Sequence, residues 1–174
     1  MKHFLIAVDL QNDFITGALG TGEAVGIVAA AADKIRRFDG KIIATLDTHG
    51  TDYLNTAEGK SLPVAHCIKG TDGWRINDEI KAALDKKGCI YVEKPTFGSV
   101  KLPKIIENEA GGEPFDITLI GLCTDICVAS NALLLKANFP ECDICVDSSC
   151  CAGVTPDSHN AALTTMKMCQ IRVI

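Results

Sequence analysis

Short, wholly apolar runs alternate with longer amphipathic stretches along this chain. The apolar runs predict strands at Phe4–Val8, Lys41–Leu46, Cys89–Val92, Ile117–Gly121, Asp143–Val146 and Ile171–Ile174. Between them, apolar residues at helical spacing predict helices at Ala24–Phe38, Ile76–Lys86, Lys101–Glu109, Asp125–Ala137 and Pro156–Met168. In the first of these, Ile27, Ala31, Ile35 and Phe38 fall on one face. Pro103 sits in a first helical turn, and Thr155 before Pro156 reads as a cap followed by proline at the first helical position. Strands apolar throughout are buried on both faces, and parallel neighbours need crossover connections. The pattern therefore predicts an α/β fold: a single-domain three-layer α/β/α sandwich over residues 1–174, with a doubly wound sheet of about six parallel strands.

One segment breaks the rhythm. Asp47 to Trp74 is long, polar and glycine-rich, and loops of that length inside compact domains are commonly functional. Composition narrows the rest. A net charge of −5 gives no basic surface for nucleic acid or an anionic membrane. The opening MKHFLIAVDL is apolar for only about five residues before Asp9, which reads as a first strand and not a signal peptide. No run approaches the roughly 18 apolar residues of a membrane span. The 9 cysteines are odd in number and lie mostly in apolar runs, as buried thiols of a reducing compartment would, so a cytoplasmic location is expected.

Ligands of open parallel sheets bind beyond the carboxyl ends of the strands, where strand order reverses. Three reactive side chains follow strands in that sense: Asp9 after FLIAV, Lys94 after CIYVE and Cys127 after ITLIGLCTD. A thiol is mostly protonated at neutral pH and needs a base or a cation to become a nucleophile. Asp9 can take the proton and Lys94 can stabilise the anion. Cys127 also falls in the first turn of the helix begun by Thr124 or Asp125, where the dipole favours negative charge. Taken singly, each has a plainer reading: a turn aspartate, a solvated lysine, a core cysteine. Pattern alone leaves the trio open.

The wording of the segments goes further. VDLQNDF at Val8–Phe14, EKPTFGS at Glu93–Ser99 and GLCTDICV at Gly121–Val128 resemble the signature segments of isochorismatase-like cysteine hydrolases, the superfamily that holds nicotinamidases. With VDSSCCAG at Val146–Gly153 the resemblance spans the chain. It implies hydrolysis of the C–N bond of a small amide through a thioester on Cys127, with Asp9 as general base and Lys94 as its electrostatic partner. It also implies a cis peptide at Leu122–Cys123 and an oxyanion site made by the N–H groups of Cys123 and Cys127. Phe14, Leu62, Phe97 and Ile126 are expected to line the substrate pocket.

In the long segment, Asp47, His49, Glu58 and His66 are oxygen and nitrogen donors suited to a divalent metal: zinc first, manganese or iron as alternatives. The Asp-x-His element and the His66–Cys67 pair resemble the metal-binding loop of nicotinamidases. No organic cofactor is expected. The chain departs from nicotinamidases at Leu62–Pro63, where a tryptophan–proline pair is usual, and this places a flat, stacked pyridine site in question. Alternatives within the fold are a vinyl-ether-cleaving isochorismatase and an N-carbamoyl amidohydrolase; outside it stands a thiol redox or metal-sensing protein. Relatives are commonly homo-oligomers, dimers or tetramers. Cys142 and Cys145 are read as core, Cys150 and Cys151 as core or packing behind the pocket with one of them a candidate for its wall, and His3 and His159 as structural or solvated.

Overall fold

The computed structural model covers residues 1–174. Six strands form one sheet: β1 (Lys2–Val8), β2 (Lys41–Asp47), β3 (Ile90–Lys94), β4 (Phe115–Leu122), β5 (Asp143–Ala152) and β6 (Arg172–Val173). Every pairing is parallel, in the order β3-β2-β1-β4-β5-β6. The order reverses between β1 and β4, so the crevice of a doubly wound sheet opens at the carboxyl ends of those two strands. Asp9 follows β1 and Cys127 follows β4.

Alternate residues of β1 feed two separate cores. Leu5 and Ala7 pack with Ile15 of α1 (Asn12–Ile15), Ile27, Ala31 and Ile35 of α2 (Gly22–Arg37) and Ile80 and Leu84 of α4 (Asp78–Lys87). Phe4, Ile6 and Val8 pack on the opposite face with Ile106 of α5 (Leu102–Ala110), Leu135 of α6 (Ala129–Asn138) and Met166 of α7 (Pro156–Met168). Each buried Leu, Ile, Val, Phe or Met among these stabilises the fold by about 1.5–3 kcal/mol. The first predicted helix thus buries the face that its spacing marks, and the capping box at Thr155 starts α7 where the sequence places it.

Three local features differ from the sequence expectation. β5 runs to Ala152 and not to Val146, because the polar Asp147-Ser148-Ser149 stretch is absorbed as an irregularity in the register between β4 and β5. Its polarity is satisfied locally: the Asp147 carboxylate accepts from Ser149 N–H and Oγ and from Lys34 on α2. Next, the helix predicted from Asp125 divides into a π-helical turn, Thr124–Val128, and α6. Finally, the long polar segment contains a 3₁₀ turn at Tyr53–Asn55 and the short α3 at Ala57–Ser61, capped by Thr56.

Gly121 explains how the two central strands come so close at their ends. Its φ is +121°, and a Cβ there would collide with the Val8 carbonyl. Only glycine lets β4 approach β1 next to Asp9.

Candidate active site

Asp9 sits at the first residue beyond β1 with φ +48°, in the left-handed region that aspartate tolerates better than most residues. Its N–H donates to the Thr45 carbonyl, and Thr45 Oγ1 donates to Asp9 Oδ1 at 2.7 Å. Thr45 is the one polar position inside the apolar run of β2, and it is fully buried. Its task is to hold that carboxylate.

Lys94, the last residue of β3, is 1 % exposed, so the solvated-cation reading fails. Its Nζ lies 2.7 Å from Asp9 Oδ2, a buried ion pair. The ammonium donates to the Thr96 carbonyl at 3.0 Å and to Cys127 Sγ at 3.5 Å, and lies 3.5 Å from Asp47 Oδ1. Cys127 is the fourth residue of the π-helical turn and is 4 % exposed. Carboxylate, ammonium and thiol therefore meet in one buried cluster.

The electrostatics of this cluster set its resting state. Burial, and then the Asp9 charge, push the Cys127 thiol well above its ordinary value, against the pull of Lys94. Burial also raises Asp9, reinforced by Asp47 and opposed by Lys94. Burial works against the Lys94 ammonium, yet the surrounding anions hold its pKa above normal. The cation is fixed, and the thiol keeps its proton until a reaction moves it.

The turn carrying Cys127 is fastened from three sides. Asn131 Nδ2 donates to the Cys127 carbonyl and the Phe97 carbonyl, while its Oδ1 accepts from Ser99 N–H. It ties the Lys94–Ser99 segment to the nucleophile's helix. Asp125 accepts from Val154 N–H, and Thr124 Oγ1 bonds His159 Nδ1 at 2.8 Å. Of the two readings open for His159, the structural one holds: its ring bonds the turn that carries Cys127. The Leu122–Cys123 peptide is cis, as the family resemblance implies. The Cys123 N–H donates to no protein acceptor.

Asp47, His49, Glu58 and His66 also converge, one ligand atom from each lying within 4.8 Å of the others. His66 Nδ1 is 2.8 Å from the Val64 carbonyl, which orients the ring so that Nε2 faces the Asp47 and Glu58 carboxylates. Glu58 is aimed by α3, whose cap at Thr56 accepts from Gly59 N–H. The Tyr53 ring packs on both imidazoles. Burial disfavours the Asp47 anion, but hydrogen bonds to His49 and His66 and the Lys94 charge outweigh it and hold the carboxyl far below its usual range. Two carboxylates and two imidazoles, three of the four residues buried and oriented from behind, fit a divalent cation. Gln11 joins the two clusters: its Oε1 accepts from Asp47 N–H, and its Nε2 donates to the carbonyls of Asp47 and Trp74.

A cavity of about 320 Å³ opens over the thiol, lined by Phe14, Leu62, Phe97, Ile126, Cys123 and Cys127 among others. All four pocket residues expected from sequence are present. Cys150 and Cys151 do not line this cavity: they are buried within β5. Trp74 lies elsewhere, its Nε1 donating to Thr48 Oγ1.

Fold and site together define a doubly wound α/β protein with a buried thiol–carboxylate–ammonium cluster beside a cluster of two histidines and two carboxylates. The chain belongs to the isochorismatase family, whose domain model matches residues 3–174. A nicotinamidase of Schizosaccharomyces pombe is 26% identical over 206 residues, covering 98% of this chain and 91% of that protein. A Bacillus subtilis protein described as an uncharacterized isochorismatase family protein, PncA, is 30% identical over 148 residues, covering 76% of this chain and 78% of that one. The crystal structure of nicotinamidase PncA from Bacillus subtilis superposes with a TM-score of 0.84 at 26% identity, covering 99% of both chains. A pyrazinamidase of Pyrococcus horikoshii in complex with zinc shares the fold, with a TM-score of 0.81 at 22% identity, covering 100% of this chain and 99% of that one.

Proposed function

We propose that this protein is a cysteine hydrolase that cleaves the C–N bond of a small carboxamide, with Asp9, Lys94 and Cys127 as its catalytic residues. The observation that carries this reading is the buried contact of the Lys94 ammonium with Asp9 Oδ2 at 2.7 Å and Cys127 Sγ at 3.5 Å. Such a cluster can hand a proton from sulfur to carboxylate without solvent.

In the first half-reaction the Cys127 proton moves to Asp9 as the sulfur attacks the amide carbon. Lys94 offsets the negative charge that the cluster carries throughout. The unpaired Cys123 N–H, with that of Cys127, receives the developing oxyanion. Asp9 then gives its proton to the departing nitrogen, the C–N bond breaks, and ammonia leaves a thioester on Cys127. In the second half-reaction water gives a proton to Asp9 and attacks the thioester carbon. The Cys127 sulfur departs and recovers its proton from Asp9, releasing the carboxylic acid. Incubating the enzyme with an amide panel should release ammonia, and hydroxylamine should divert the thioester to a hydroxamate. Ammonia release with no hydroxamate at any hydroxylamine concentration would rule out the acyl-enzyme.

Asp47, His49, Glu58 and His66 would hold one divalent metal, zinc first and manganese or iron as alternatives. When bound, the ion supplies Lewis acidity and an anchor for a substrate donor atom at the edge of the pocket. Elemental analysis of untagged protein is expected to find about one equivalent, and His66→Ala should lower metal affinity by at least about 10–100-fold. Full metal content in His66→Ala would remove that residue from the ligand set.

All nine cysteines are free, which supports a reducing, cytoplasmic setting. No helix is long and apolar enough to cross a membrane. A homo-oligomer, dimer or tetramer, is the assembly the family resemblance implies.

A further inference from the structure

A second cavity, of about 780 Å³, adjoins the pocket over Cys127 and shares Glu58, Leu62, Phe97 and Ile126 with it. Leu62 and Phe97 are 38 % and 45 % exposed and stand as the partition between the two. Both cavities expose mostly apolar wall, and the outer one adds the hydroxyls of Thr48, Thr56, Ser61 and Thr96.

Those hydroxyls have a direction. Each donates its proton to a backbone carbonyl: Thr48 to Leu46, Thr56 to Tyr53, Ser61 to Ala57 and Thr96 to Gly98. Thr48 and Thr56 also accept, from Trp74 Nε1 and Gly59 N–H, so Ser61 and Thr96 are the two whose lone pairs are all left for a ligand, and they ask for hydrogen-bond donors. Charge adds a second constraint. No lysine or arginine lines either cavity, while Asp47 and Glu58 do. A divalent ion in the cradle is balanced by those same two carboxylates and leaves no net attraction for an anion.

We infer that the substrate is an amide without a carboxylate, its acyl portion carrying a hydroxyl-bearing extension that lies in the outer cavity. This rests on the amide-hydrolase reading and narrows it. An N-carbamoyl amino acid or an isochorismate-like dicarboxylate finds no lysine or arginine here to pair its carboxylate, and a bare small amide leaves the larger cavity unused. Binding energy gathered there, remote from the reacting carbon, can be spent on orientation at Cys127.

The test uses four probes on the metal-loaded wild-type enzyme. They are benzamide, benzamide bearing a meta 2,3-dihydroxypropoxy chain, the same chain with both hydroxyls methylated, and a meta carboxymethoxy chain. The diol is expected to exceed benzamide in kcat/KM by about tenfold or more, the methylated chain to lose most of that gain, and the carboxylate to fall below benzamide. Ser61→Trp, at an exposed position, should lower kcat/KM for the diol about tenfold more than for benzamide. Equal rates for benzamide and the diol, retention of the gain after methylation, a preferred carboxylate, or an equal loss on both amides in Ser61→Trp would each overturn the inference. No ammonia from any amide in a wider panel would instead overturn the amide-hydrolase reading beneath it.

Discussion

Cys127→Ala is expected to lower amide hydrolysis by about 10⁴-fold or more, the scale on which enzymes lose turnover with their nucleophile. The substitution removes one sulfur from a residue that is 4 % exposed and packed in the core on the α5–α7 side of the sheet, so the fold should survive. Asp9, Lys94 and Thr45 keep their mutual contacts, and the pocket keeps its other walls. Any residual rate then measures binding and the oxyanion donors without covalent chemistry. Cys145→Ala is the matched control: that thiol is also buried, but it faces Thr118 Oγ1 at 3.3 Å on the β4–β5 pair and touches no cavity wall at the site. It should keep most of the activity at a modest stability cost. Equal losses in the two variants would point to thiol burial in general and end the nucleophile assignment.

The architecture was legible because unbroken apolar runs mark strands buried on both sheet faces, and period-3.6 patterns mark which face of each helix is apolar. All six strands lie where the runs place them, and Asp9, Lys94 and Cys127 meet because strand ends in a parallel sheet share one edge. The end of β5 was not legible. Asp147, Ser148 and Ser149 look like a loop until Lys34, 113 positions away, is seen to pair with Asp147. The same limit hid the groups that hold the site. Gln11 reaches Asp47 across 36 positions and Trp74 across 63, and no local pattern encodes such partners.

Weak signals existed nonetheless. Thr45 interrupts an otherwise apolar strand, and Asn131 interrupts an apolar helix. A polar residue in a fully buried run must find a partner. In both cases the partner proves to be the reacting cluster itself: Asp9 for Thr45, the Cys127 carbonyl for Asn131. His159 gave no such sign, since α7 exposes most of its surface and only tertiary packing turns that ring toward Thr124.

Asp9→Asn should produce two effects of opposite sign. Turnover is expected to fall by about 10²–10⁴-fold, the contribution of a positioned general base and acid, because an amide can neither take the thiol proton nor return one to the leaving nitrogen. Asparagine tolerates the left-handed backbone at φ +48°, so the position itself stays unstrained. The reactivity of Cys127 toward an alkylating agent should move the other way. After burial, the Asp9 charge is the main influence holding the thiol protonated, and Lys94 is the one that opposes it. Removing the anion and keeping the cation lowers the thiol's pKa, so the thiolate fraction at any given pH increases. The pH profile of iodoacetamide labelling should shift to lower pH while amide hydrolysis collapses. If labelling and turnover fall together, Asp9 serves only to hold Lys94 and Cys127 in place, and the proton must leave the sulfur by another route.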